Sequence, residues 1–177
     1  MIWKFTDNKS RDSIEQQFDW ARNMNEVPQD KLYHAEGNVA VHTWKVIEEL
    51  QQLPAYSDLG GQDKEILWTA ALLHDVEKRS ATVVESDGRI TARGHARKGE
   101  YTVRTLLYRD LPTPFAIREK IASLVRFHGL PLWLMEKTDP VRKIAEVAFR
   151  LDTSQLRMLA EADIRGRICQ DREELLE

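Results

Sequence analysis

The sequence predicts an all-α domain with one small β-hairpin near residues 82–91, and three observations carry that prediction. Apolar residues recur at helical spacing through the longer segments. One stretch, Thr82 to Thr91, reads instead as two short strands around an Asp87-Gly88 turn signal. The length of 177 residues suits one domain with a substantial buried core.

Taken in order, residues 1–31 are polar, with one helix expected around Asp12–Arg22, where Ile14, Phe18 and Ala21 share helical spacing. Gly37 then breaks the chain and Asn38 is placed to cap a helix reaching about Gln52. Val39, His42, Val46 and Leu50 fall on one stripe of that helix. Pro54 to Gln62 is a connection. The apolar run Ile66–Leu73 predicts a helix that closes on His74-Asp75-Val76-Glu77-Lys78. After the hairpin, His95 stands in Gly94-His95-Ala96, just before a helix from about Arg97 to Tyr108. Pro114 fits the first turn of a helix reaching Phe127. Along it Ile117, Ile121, Leu124, Val125 and His128 form a stripe that ends in a histidine. Short helices are expected over Leu132–Glu136 and Val141–Leu151. The last long helix, Thr153 to about Arg167, carries Leu156, Leu159, Ala160, Asp163 and Ile164 on one side. The acidic tail 171–177 ends a helix or marks where a longer chain was cut.

Bulk composition excludes little. Hydrophobic residues at 42% and charged residues at 31% are ordinary for a soluble globular protein. The net charge of −3 points to no class of partner. The single cysteine, Cys169, rules out an internal disulfide framework, so a reducing cytoplasm is the simplest compartment. Charges follow Met1-Ile2-Trp3-Lys4-Phe5 so closely that no signal peptide is expected. No apolar run approaches the ~20 residues that span a bilayer. Charge is nonetheless uneven. Arg89 to Arg126 holds nine Lys/Arg against three acids, so the rest of the chain is strongly acidic. A basic segment of this kind attracts phosphates, or forms a solvated helix face.

The polar residues on apolar stripes carry the chemistry. Singly, a histidine on such a stripe is a satisfied core residue, and an inward aspartate caps or pairs with an arginine. Together, His42, His74-Asp75, His128 and Asp163 sit at the buried edges of four helices, with His95 at the mouth of a fifth. Imidazole and carboxylate groups converging on one cavity suit one or two divalent transition ions. Buried carboxylates need such partners, because an unpaired buried charge is costly.

The pattern His42…His74-Asp75…Asp163 resembles the H…HD…D signature of the HD phosphohydrolase superfamily. That resemblance covers the chain from Tyr33 to about Arg167, and it implies an HD-domain helical bundle with metal ions held inside it. His95 and His128 resemble the additional ligands of the two-metal members. Tyr33-His34-Ala35-Glu36-Gly37-Asn38-Val39 through His42-Thr43 is similar to the start of the HD domain in bacterial tRNA CCA-adding enzymes. Gly94-His95-Ala96-Arg97-Lys98-Gly99-Glu100 and Leu124-Val125-Arg126-Phe127-His128-Gly129-Leu130-Pro131 resemble the HD module of bacterial HD–polynucleotide kinases. In those RNA-repair enzymes the HD module removes 2′,3′-cyclic, 2′- or 3′-phosphates, and a P-loop kinase follows in the same chain. No G-x-x-x-x-G-K-[ST] occurs among the 177 residues, so they read as an excised HD module or a stand-alone relative.

The resemblance implies a metal-dependent phosphoesterase using one or two ions of Mn, Fe, Ni, Co or Zn. His42, His74, Asp75 and Asp163 are expected on one ion, with Asp75 bridging to a second held by His95 and His128, and water as the nucleophile. Lys78, four residues after His74, is expected to hold a phosphate oxygen, or to be a solvated helix-end lysine. Arg79, Lys98, Arg126 and Arg165 are candidate phosphate contacts. His34 is expected near the substrate, with leaving-group acid as one role. The expected substrate is an RNA end or nucleotide carrying a 2′,3′-cyclic, 2′- or 3′-phosphate. Two alternatives stand beside it: an HD-type nucleotide phosphatase or cyclic-nucleotide phosphodiesterase, and a regulatory module without activity.

Overall fold

A helix that is apolar on every face has to be surrounded by other elements. Ile66 through Leu73 is such a run, and in the computed structural model, which describes residues 1–176, all eight are buried. They form the last two turns of the central helix α5 (Gly61–Leu73). Before it come α1 (Arg11–Gln17), α2 (Asp19–Asn23), α3 (Val39–Gln52) and the single turn α4 (Pro54–Ser57). After it come α6 (Lys78–Ala81), strands β1 (Val83–Val84) and β2 (Ile90–Thr91), and helices α7 (His95–Arg109) and α8 (Phe115–Phe127). The helices α9 (Pro140–Ala148) and α10 (Thr153–Gly166) complete the regular structure. Helix α5 packs against α3, α8 and α10, while α7 lies along α8 and α10 along α3.

The long helices begin and end where residue chemistry directs. The Asn38 side chain accepts the Val41 N–H at 2.9 Å and starts α3. His95 is the first residue of α7 rather than the residue before it, because Gly94 takes a left-handed turn (φ 78°) that starts the helix early. Asp152 caps α10 through the Ser154 N–H at 2.8 Å. The hairpin pairs Val83 with Thr91 and Val84 with Ile90. Its turn is closed by Gly88 N–H donating to Glu85 O at 2.9 Å, which makes a three-residue loop around Asp87-Gly88.

Several boundaries differ from expectation, each for a packing reason. The single helix expected over Asp12–Arg22 splits at Phe18, whose extended backbone (φ −129°) sets its ring 5.3 Å from Phe5 and 5.5 Å from Trp20. The connection after Pro54 contains α4, with the proline at its first turn. Only a 3₁₀ turn, Pro131–Trp133, forms where a helix was expected to Glu136. Helix α5 stops at Leu73, and His74 to Glu77 turn the chain before α6. His74 and Lys78 therefore do not share a helix face. Among the described residues, no helix is long and apolar enough to cross a membrane.

Candidate metal centre

The polar groups of the stripes meet beside the C-terminal end of α5. His42 (α3), His74 and Asp75 (after α5), His128 (after α8) and Asp163 (α10) are all buried, and His95 opens α7 beside them. Asp75 lies at the middle. Its Oδ2 is 3.2 Å from His74 Nε2, and its Oδ1 is 3.1 Å from His95 Nε2 and 3.7 Å from His128 Nε2. Asp163 Oδ1 is 3.0 Å from His42 Nε2. Two groups of ligand atoms, His42-His74-Asp75 and Asp75-His95-His128, each lie within 4.8 Å of one another and share Asp75.

One device repeated three times aims the rings. His74 Nδ1 meets Ala71 O at 2.7 Å, His95 Nδ1 meets Ala92 O at 2.7 Å, and His128 Nδ1 meets Val125 O at 2.8 Å. A carbonyl only accepts, so each Nδ1 carries a proton, and in the neutral form of each ring Nε2 presents a lone pair. Outer hydrogen bonds of this kind orient metal-binding histidines.

The donor set fits a cation. His95 Nε2 and His128 Nε2 face each other at 3.4 Å, two acceptors with no hydrogen between them in the neutral rings. His74 Nε2 and Asp75 Oδ1 are buried without a hydrogen-bond partner among the described residues, although other polar atoms lie within 3.2 Å. They are misaligned for one another and converge instead. A divalent transition ion satisfies imidazole nitrogens and a shared carboxylate together.

Electrostatics agree with a cation-seeking site. Burial alone would raise Asp75, but Lys78 and His74 outweigh it and hold the carboxyl well below its ordinary value. Asp163 is likewise held low against its burial, by Arg167 and His42. Burial pulls His74 and His95 down, yet Asp75 reverses it and raises both. Burial pushes His128 down to about 3, with His74 adding to the shift.

A cavity of about 570 Å³ opens over this cluster, bordered by His34, Lys78, His95 and Arg167. Lys78 Nζ is 2.8 Å from Asp75 Oδ2 and donates to Gln29 Oε1 at 2.6 Å. Lys78 thus pairs with the central carboxylate while lining the cavity, and is not a solvated helix-end lysine. His34 Nδ1 donates to Glu36 Oε1 at 2.8 Å. Burial, stronger than that hydrogen bond, lowers His34 to about 4, so the ring is neutral near pH 7 and lacks the proton a leaving-group acid needs.

Four expected phosphate contacts stand elsewhere. Arg79 pairs with Glu77 at 3.0 Å, Lys98 donates to Ser80 O at 3.3 Å, Arg126 faces Glu100 at 3.6 Å and Arg165 pairs with Glu161 at 3.0 Å. None lines the cavity. Each has a polar partner outside the cavity, and charge counting along a sequence is blind to such partners.

Two residues that sequence reasoning missed do line or support the site. Arg167 donates to Asp163 Oδ2 at 2.9 Å and Oδ1 at 3.2 Å, and the i,i+4 spacing was the available signal. Glu36 Oε1 lies 2.9 Å from His42 Nδ1, off the line of a hydrogen bond, and its Oε2 accepts the Ile168 N–H at 2.8 Å. With His34 and His42 it makes a third group of clustered ligand atoms.

Comparison with known families decides the kinship. The HD domain family matches residues 39–162, which include His42, His74, Asp75, His95 and His128. The chain belongs to the HD domain family. HD domains are metal-dependent phosphohydrolases, and the buried His/Asp cluster of this HD domain fits a divalent metal site. No curated protein matches the chain closely enough to narrow the substrate.

Proposed function

We propose that this HD domain is a phosphoesterase acting on 2′,3′-cyclic, 2′- or 3′-phosphate ends of RNA or of nucleotides. The observation that carries the reading is the pair of ligand groups joined at Asp75, set beneath a cavity bordered by Lys78 and Arg167. The stretches around His95 and His128, similar to the HD module of HD–polynucleotide kinases, favour RNA ends over other phosphoesters. A parent chain carrying a P-loop kinase is part of the same proposal.

His42, His74, Asp75 and Asp163 would hold one ion, and Asp75, His95 and His128 a second. A metal pair in such a site activates water near neutral pH and offsets charge on phosphoryl oxygens. The chain's own groups do the rest. The carbonyls of Ala71, Ala92 and Val125 keep the ring lone pairs aimed, and Lys78 and Arg167 keep both aspartates ionised. His34, held by Glu36 beneath it, forms a fixed wall of the cavity beside the substrate.

The test is an assay of the purified chain, with each of Mn, Fe, Ni, Co and Zn, on short RNAs ending in 2′,3′-cyclic or 3′-phosphate and on cyclic mononucleotides. Release of phosphate or of a phosphomonoester that depends on the added ion is the expected result. Metal-loaded protein that leaves every terminal phosphate intact would refute the reading.

A further inference from the structure

The cavity has two kinds of lining. His34, Lys78, His95 and Arg167 each touch the cluster or its partners. Tyr33, Ile90, Leu132 and Trp133 are apolar or aromatic. Tyr33 and Trp133 are 49% and 53% exposed, and both line this one cavity. Both are tied to ligand-bearing segments. Tyr33 directly precedes His34, and Trp133 sits in the 3₁₀ turn that follows His128 by three residues.

We propose that Tyr33 and Trp133 are specificity-determining residues that recognise the base of one terminal nucleotide, an inference that rests on the phosphoesterase reading above. A volume of about 570 Å³ falls in the usual range for small-molecule sites and admits a single nucleotide. Aromatic faces accept any base by stacking, without reading its hydrogen-bonding edge. Charge is a poor substitute here. Lys78 and Arg167 are committed to Asp75 and Asp163, and of the nine cations between Arg89 and Arg126 only Arg93 lines the cavity. The site therefore grips a nucleotide by its base and presents its phosphate to the cluster.

The test compares adenosine 3′-monophosphate with glycerol 2-phosphate, which has no base. Equilibrium binding of both is measured by calorimetry on the full chain, with metal and after chelation, for wild type, Trp133→Ala, Trp133→Phe and Tyr33→Ala. Wild type is expected to prefer the nucleotide at least tenfold. Trp133→Ala should lower that ratio about tenfold, Tyr33→Ala should lower it too, and Trp133→Phe should restore most of it. Both rings are half-exposed, so thermal melts matching wild type are expected to show that the variants fold. Equal affinity for the two ligands in wild type, or an unchanged ratio in both alanine variants, overturns the proposal. If the ratio behaves as expected but neither ligand nor any RNA end is hydrolysed with metal, the phosphoesterase reading fails while the base site stands.

Discussion

Asp75 belongs to both of the groups of ligand atoms that it joins, whereas His42, His74, His95 and His128 each belong to one of the two. Removing its charge should therefore do more than removing any single ring. Asp75→Asn, which keeps the volume, is expected to bind neither ion. His128→Ala should keep about half the wild-type metal content by elemental analysis. Hydrolysis should fall in both by more than the roughly 10–100-fold that loss of an outer partner costs. Unchanged metal content in His128→Ala would mean that this ring is not a ligand. Arg167 makes a different prediction. Asp163 is only 2% exposed, and without Arg167 its carboxylate keeps a single partner, His42. Breaking a buried ion pair costs ~3–5 kcal/mol, and the partial exposure of Arg167 places Arg167→Ala near the lower end. Divalent metal should recover part of that loss by partnering Asp163 in the arginine's place. Urea denaturation with and without metal would measure both, and equal stability of variant and wild type in the chelated state would contradict the argument. Arg167 was legible only as an i,i+4 partner of Asp163. Glu36 lies in an irregular turn with no periodicity to expose it.

The helices hold these groups in register by close approach, most tightly where α10 meets α3. A Cβ on Gly166 would come within 2.9 Å of Val46 Cγ2 and 3.0 Å of Val46 N. Backbone cannot yield as a side-chain tip can, so Gly166→Ala should push α10 away from α3. Overpacking of this kind costs about 1–3 kcal/mol. The same displacement moves Asp163 from His42, so metal affinity should fall together with the melting temperature. A variant that melts lower but binds metal normally would separate packing from the site. At this scale the sequence was most informative. Every long helix was visible from its apolar pattern, and caps are local patterns too, as at Asn38 ahead of Val39 through Leu50. The split at Phe18 and the short turn Pro131–Trp133 were not visible. The first depends on Phe5 and Trp20, and the second on how the chain re-enters the cavity wall.

Across the whole molecule, the ligand cluster was readable and the cavity above it was not. Candidate ligands betray themselves as polar residues on apolar stripes, as His42, His128 and Asp163 do. The cavity wall comes from Tyr33, Ile90, Trp133 and Arg167, which lie far apart in sequence and share no period. The basic stretch from Arg89 to Arg126 is hard to read for a related reason, since a charge count does not know its partners. Arg89 faces Asp87, Arg109 faces Asp110, Arg118 faces Glu119, and Arg104 bridges Glu100 and Glu119. Glu100 also draws Arg126 and Arg150. Arg93, Arg97, Lys98 and Lys120 have no carboxylate partner among the described residues, and Arg93 is the one member of the stretch on the cavity wall. The salt response of RNA-end hydrolysis follows from that. For a single strand, log affinity falls with log salt at about −0.7 per phosphate neutralised. One contact then predicts a rise in KM of only about threefold between 50 and 200 mM salt for a short 3′-phosphate RNA. The same measurement on a mononucleotide should give a similar change, because both present one nucleotide to the cavity. A rise of tenfold or more, confined to the oligonucleotide, would instead show several backbone contacts and place the paired arginines of α7 and α8 on the path of the RNA.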